Sequence, residues 1–344
     1  AGCCALMLCG FGIRDSISDI PEKQFGYVTS QDATVYFSNI SKKEADNLLV
    51  QDEIVSHSNV SLINGEIGQY DITINVLENG YEEFQHFYDV KTKENLSLND
   101  NEVFISDKLA QLLSLSKGDK IEFNDNNYNN YSFTIAAVVE NYIYHYVYMT
   151  ESTYKQVTNE EMIVNTAYIK LKNLNEEEKE IFQKKLLNNE EILNVTFVQD
   201  AIDSADHMLQ SLNKVVIILI VLAALLSFIV LYNLSNINIH ERKREIATLK
   251  VLGFYPKEVD HYITQENIIL TIIGIIIGLI FGYFLTNIVV STVEIEYVRF
   301  IHKINFLSFV YASLLSILFT LIVNLITHFS LEKIDMIESL KSVE

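Results

Sequence analysis

The chain is expected to fold as an α-helical membrane protein. It would have four transmembrane helices, the first truncated, and a large α+β extracellular domain carried on a helical stalk. Three observations predict this. Residues 215–239, 263–293 and 304–329 are almost free of charge, and each stretch exceeds the roughly 20 residues a helix needs to cross hydrocarbon. A polar block, residues 14–213, holds 15 Lys/Arg against 34 Asp/Glu, nearly all of the net charge of -20. The mean hydropathy is nonetheless positive, +0.17. A helix buried in a soluble core is the rival reading of any one run, but three in the last third of a chain argue for spans.

The first element, residues 1–20, opens on AGCCALMLCGFGI, a shorter apolar run. We expect it to be the outer end of a first spanning helix that begins upstream, continued as a stalk by Ile13, Ile17 and Ile20 up to Pro21. A signal-peptide remnant and a lipoprotein start at Ala1-Gly2-Cys3 are the two other readings. Against the first, no basic leader or cleavage site precedes a polar start; against the second, Cys3 is followed by apolar residues. All three cysteines lie in this run, so the polar block is expected to hold together without disulfides or a Cys-based zinc site.

The second element, residues 21–202, is the extracellular α+β domain. DITINV (71–76), FTIAAVV (133–139) and TAYIKLK (166–172) alternate as strands do. A helix is predicted over residues 107–115 with Ser106 as cap, followed by a turn at Lys117-Gly118-Asp119 and a strand over 120–123. A second helix is predicted over 175–188, with Asn175 as N-cap, Glu178 three residues on and acids in the first turn. NYIYHYVYM (141–149) is expected to be an aromatic strand in the core, with contact to a ligand or to peptidoglycan as the other reading. NDNNYNN (124–130) lacks the glycine and the bidentate glutamate of a calcium loop and is expected to be a hairpin loop. The acidic balance makes nucleic acid an unsuitable partner.

Residues 203–239 are the third element, a stalk helix running into the second span. Ala205, Met208, Leu209, Leu212, Val215 and Val216 fall on one face with no breaker between them. Packing of each stalk helix against the domain is the alternative.

The fourth element, residues 240–260, reads HERKREIATLKVLGFYPKEVD. Its stretch 240–258 carries five Lys/Arg against three acids. Basic short loops stay cytoplasmic, which puts the acidic block outside, with the turn 294–303 beside it and the tail 331–344 inside. Ile246, Leu249 and Leu252 share a face, Gly253 suits a left-handed helix end, and Pro256 suits the first turn of the next helix. Such a capped elbow with an apolar face fits a groove in a cytosolic partner. A helix lying on the lipid surface is the other reading.

The remaining spans are residues 261–293 and 304–330. Gly274, Gly278 and Gly282 fall on one face of the first, and Ser308, Ala312, Ser316, Thr320 and Asn324 recur every four residues in the second. Small residues at such spacing let helices approach closely in lipid, either within the bundle or at a dimer seam. No ionisable group follows Glu266 in mid-helix, which favours transmitting force over passing a solute.

Residues 226–285 resemble the core of the FtsX-like (MacB-type) permeases of ABC transporters. The matching residues are Glu241, Arg242, Arg244, Glu245, Ile246, Ala247, Leu249, Leu252 and Gly253, then Glu266, then Gly274, Gly278 and Gly282. The tail LEKIDMIESLK is similar to that family's closing I-D-P-x-E-A-L-R, with Met336 for the proline, Ser339 for the alanine and Lys341 for the arginine. VFISDKLAQLLSLSKGDKI (103–121) also looks like that family's extracellular domain.

The resemblance implies that Glu241, Arg242, Arg244, Glu245, Ile246, Leu249, Leu252 and Gly253 form a coupling element that docks on a cytosolic ABC ATPase. ATP and Mg would be bound by that ATPase, with no cofactor in this chain. It also implies a bacterial plasma membrane, a second permease half or a homodimer, and an exported or expelled peptide or lipid-linked cargo. The other use it implies is control of a cell-wall hydrolase through a cell-wall or extracellular protein partner. No G-x-x-x-x-G-K-[ST], H-E-x-x-H or G-x-S-x-G occurs in the chain, so no catalytic centre is expected. The rival class is an ATP-independent membrane-anchored receptor or scaffold.

Overall fold

The structure is a computed structural model that describes residues 1–125, 130–241 and 256–332. It divides into two compact units: Asp19–Met208 with Glu294–Phe300, and Ala1–Ser18 with Leu209–Val293 and Ile301–Glu344.

The first unit is built on a nine-stranded mixed sheet. In chain order the strands and helices are β1 (Ala33–Ile40), α1 (Lys42–Leu48), β2 (Ile54–Ile67), β3 (Tyr70–Leu77), β4 (Phe87–Tyr88), β5 (Asn95–Leu96), β6 (Val103–Ser106) and α2 (Asp107–Leu113). There follow β7 (Lys120–Asp125), β8 (Asn130–Val139), β9 (Tyr146–Thr150), α3 (Glu151–Thr158), β10 (Val164–Leu171), α4 (Glu176–Leu187) and β11 (Ile192–Phe197). The strand order is β11-β1-β10-β2-β3-β9-β6-β8-β7. The far end of the long β2 also pairs with β7, Gly65 opposite Asp125, so six of the strands close into a ring. Among the described residues only β3–β9 and β6–β8 are parallel.

Alternation along the strands sorts the core into two clusters. Val103 and Ile105 go to one and Phe104 to the other; Val147 and Met149 part from Tyr148 in the same way, and Ala167 and Ile169 from Tyr168. Successive side chains point to opposite faces, so both faces of the sheet are packed. Ala45 and Leu49 at α1, Leu109 of α2 and Phe182 and Leu186 of α4 cover the larger cluster.

The predicted strands fall within β3, β8 and β7 and, but for Lys172, within β10, and the helix after Asn175 forms with its reciprocal cap to Glu178. Two expectations are corrected. Ser106 precedes α2 but its hydroxyl makes no cap; it accepts from the amide of Tyr146 instead, at 3.1 Å. The aromatic strand begins only at Tyr146, because Asn141 turns the chain before it: its side-chain amide donates to the carbonyls of Ile143 and Tyr144. Of the loop 124–130, residues 126–129 lie outside the described residues, and its ends pair as a hairpin, Asn124 opposite Asn130.

The second unit is helical. Its N-terminal helix, αN, spans Gly2–Ser18, one turn short of Pro21, which sits in a separate short helix, Ile20–Glu22. The others are α5 (Val198–Glu241, whose start belongs to the sheet unit), α6 (Pro256–Val293) and α7 (Phe306–Glu332). By length and composition, Lys214–Leu234, Ile268–Val293 and Phe306–Ile326 suffice to cross a membrane, with mean hydropathies of 3.2, 2.8 and 2.3.

Candidate functional site

In the sheet unit, two acidic residues and two basic ones are brought together from segments far apart in sequence. β6 runs into α2 without a loop, so the first helical residues, Asp107 and Lys108, are held against the core and are 7% exposed each. Facing them is Glu294–Phe300. Lys108 Nζ lies 2.9 Å from Glu294 Oε2, with both side chains under a tenth exposed, and Asp107 is ion-paired with Arg299. The other oxygen of Glu294 accepts from the amide of Phe300 at 2.9 Å.

The backbone is fastened as well. Ile143 and Val298 form an antiparallel bridge, the amide of Arg299 donates to Tyr142 O at 2.9 Å, and that of Tyr144 donates to Tyr297 O at 2.7 Å. Residues 297–299 thus pair with 142–144 through an isolated bridge outside the sheet. Gln24 accepts from the amide of Tyr142, and Glu140, ion-paired with Lys93, anchors the same loop through its amide to Tyr88 O.

Burial pushes the Asp107 carboxyl up to about 7 against the pull of the Arg299 guanidinium, and the Glu140 charge adds to the rise. A buried pair of this kind contributes little net stability, but removing one partner strands the other and costs about 3–5 kcal/mol. The arrangement therefore fixes where Glu294–Phe300 sits, and that segment is the whole link from α6 towards α7 apart from residues 301–305. This contact is barely legible in the sequence. Residues 294–303 look like an ordinary turn, and the partners Asp107 and Lys108 sit far away in the chain. The faint signal is that Asp107 and Lys108 lie at the start of a helix joined directly to an apolar strand.

In the helical unit the small residues line contacts with αN. A β-carbon on Gly278 would lie 2.6 Å from Ala1 O and 2.8 Å from Cys4 Cβ; one on Gly282 would lie 3.0 Å from Ala5 Cα and Leu8 Cβ; one on Gly274 would lie 3.3 Å from Ala1 N. Ser308 donates to Asp15 of αN at 2.6 Å, Ala312 is fully buried, and Ser316 turns its hydroxyl back to Ala312 O. αN offers its own close contacts, missed in the sequence: a β-carbon on Gly10 would meet Ile220, and one on Gly12 would meet Thr286.

Of the expected coupling residues, Glu241 is the last of α5; Arg242, Arg244, Glu245, Ile246, Leu249, Leu252 and Gly253 lie outside the described residues. Among the described residues no three His, Cys, Asp or Glu gather as a metal site.

Residues 217–334 match the family described as FtsX-like permease C-terminal. No curated protein matches the chain. Solved structures similar to part of it include the periplasmic region of MacB from Actinobacillus actinomycetemcomitans, at 12% identity, over 52% of this chain and 94% of that one, with a TM-score of 0.33. The extracellular domain of the noncanonic ABC-type transporter YknZ from Gram-positive bacteria is 11% identical over 49% of this chain and 99% of that one, with a TM-score of 0.32. A putative lipoprotein from Bacillus anthracis is 11% identical over 48% and 97%, with a TM-score of 0.27.

Proposed function

We propose that this chain is the permease subunit of a bacterial ABC system that turns ATP-driven motion of a partner ATPase into motion of its extracellular domain. The observation that carries the reading is the family match over residues 217–334, which spans the basic elbow and the two helices after it. In this reading the acidic domain lies outside the plasma membrane. The loop 240–260 lies inside, following the rule that basic loops stay cytoplasmic. Glu241, Arg242, Arg244, Glu245, Ile246, Leu249, Leu252 and Gly253 dock on the ATPase, which alone binds ATP and Mg. Motion reaches the domain through α5 and the αN segment, which serve as stalks, and through Glu294–Phe300, whose ion pairs resist being pulled away. The cargo is a peptide or lipid-linked molecule, or there is none and the domain controls a cell-wall hydrolase. The working assembly pairs this chain with a second permease half or a second copy.

The test is co-purification from membranes. The cytosolic ABC ATPase should accompany the chain, and the double change Glu245→Arg with Leu249→Arg should remove it. ATPase retained in full by that variant would overturn the docking assignment. A chain that brings down no ATPase at all would favour the receptor or scaffold reading.

A further inference from the structure

An open cavity of about 480 Å³ in the sheet unit is walled by Glu66 and Asp71 from the β2–β3 hairpin and by Tyr144, His145 and Tyr297. Three features set it apart from an ordinary surface hollow. His145 is 1% exposed, yet neither of its ring nitrogens has a hydrogen-bond partner. Buried polar groups are almost always paired, so such an atom calls for an explanation. Tyr144 and Tyr297 are large aromatics left 59% and 40% exposed, their ring centroids 6.3 Å apart, and Tyr297 lies 5.7 Å from the His145 ring. Tyr144 adopts a left-handed backbone, φ 62°, which a bulky residue takes only when its surroundings force it. The surroundings are the Asn141 side chain and Tyr297 O, which hold this tyrosine at the cavity mouth.

The chemistry of the wall selects the ligand. Burial keeps the His145 imidazole below its ordinary pKa, so at neutral pH it is uncharged and offers an acceptor nitrogen. Asp71 and Glu296 act on it as negative charges, while the nearby cation, Lys108, is itself buried against Glu294. Two carboxylates, an acceptor nitrogen and two aromatic rings suit a group that is cationic, donates several N–H bonds and carries an apolar stem. An anion would be repelled. Among the described residues no cluster offers a metal ion its ligands.

We propose that this cavity binds an alkylammonium group on a basic peptide, its N–H groups donated to Asp71, Glu66 and the bare His145 nitrogen and its methylene stem lying along Tyr144 and Tyr297. This inference stands apart from the ATPase assignment, since it concerns only the sheet unit. It is tested by calorimetric titration of the full-length protein in detergent with tri-lysine amide, the same peptide acetylated on every amine, butylamine and magnesium ion. Tri-lysine is expected to bind and its acetylated form not to bind. Asp71→Asn and Tyr297→Leu should each weaken binding about tenfold or more, equivalent to about 1.4 kcal/mol. Glu177→Gln, an exposed charge removed elsewhere, should leave it unchanged. Tyr144→Gly separates site from scaffold: it relieves the left-handed strain, so the melting temperature should hold or rise while affinity falls. Butylamine binding with the same variant pattern would support the site and show that a free amine suffices. No binding of tri-lysine, or binding that magnesium displaces and that Glu177→Gln weakens as much as Asp71→Asn, would overturn the proposal in favour of diffuse attraction to an acidic surface.

Discussion

In the sheet unit large side chains are shut off from solvent: Tyr148, Phe84, Phe87, Phe182, Ile74, Ile105 and Ile135 are all under 2% exposed. In the helical unit many of the close contacts are made by the smallest residues, Gly10, Gly12, Gly278, Gly282, Ala312 and Ser308, beside larger buried ones such as Met7, Leu8, Ile17 and Val290. There Ile269, Ile276, Ile280, Phe281 and Leu325 are each more than half exposed. The inversion follows from the solvent each unit is built for. In water, burying a large side chain removes apolar area and is worth about 1.5–3 kcal/mol. In lipid, an isoleucine gains nothing by leaving hydrocarbon, so helices associate through close backbone approach and short hydrogen bonds.

The sharpest way to break this contrast is to attack a place in the sheet unit where charge, not bulk, is buried. Glu294→Ala should destabilise that unit by about 3–5 kcal/mol by stranding Lys108. Lys108→Met combined with Glu294→Met should restore most of the loss, as read from the melting temperature and from hydrogen exchange of residues 142–144. A single variant as stable as the native protein would mean that the pair holds nothing in place.

The same truncation in both units comes next. Ile135→Ala in the sheet core should cost about 2–5 kcal/mol, whereas Ile276→Ala, on an outward helix face, should change detergent-solubilised stability by less than about 0.5 kcal/mol. Equal losses would show that the exposed face of α6 is in truth a buried one.

Enlargement reverses the order. Gly282→Val should destabilise the helical unit by about 1–3 kcal/mol, because the added carbons meet the backbone of αN. Full stability in that variant would remove αN from this seam.

The smallest effect is pH-dependent. Asp107 holds its proton up to about 7 in the folded protein but only to about 4 when unfolded. Its contribution is therefore complete below pH 4 and lost as pH rises through 7. The shift alone would allow about 4 kcal/mol; with solvent screening at the partly exposed Arg299, on the order of 1 kcal/mol is expected. His86 and His145, both lowered chiefly by burial, act in the opposite sense below pH 6.5. The comparison is therefore between native protein and Asp107→Asn: the native melting temperature should fall more steeply from pH 5 to pH 8. Parallel curves would assign Asp107 a charge throughout.

Much of the architecture was legible in the chain. The spans were plain from charge-free length, and the strands from alternation in DITINV, FTIAAVV and TAYIKLK. The helix after Asn175 was legible from a local cap that needs no tertiary partner. What failed was wherever a polar side chain takes a partner that cap rules and hydrophobic alternation do not register. The Ser106 hydroxyl goes to Tyr146 rather than to its own helix, and Asn141 bends the tyrosine-rich stretch that alternation would have kept straight. The coupling residues rest on family resemblance, and all but Glu241 lie outside the described residues.

By itself, then, the sequence determined which segments belong in hydrocarbon and which in water, because transfer free energy is a property of composition along a short stretch. Only the tertiary structure decided that Glu294–Phe300 is fastened to Asp107, Lys108 and 142–144, and that His145 is left unpaired beside two exposed tyrosines. Those facts depend on which atoms meet across more than a hundred residues of chain, and no local pattern encodes such meetings.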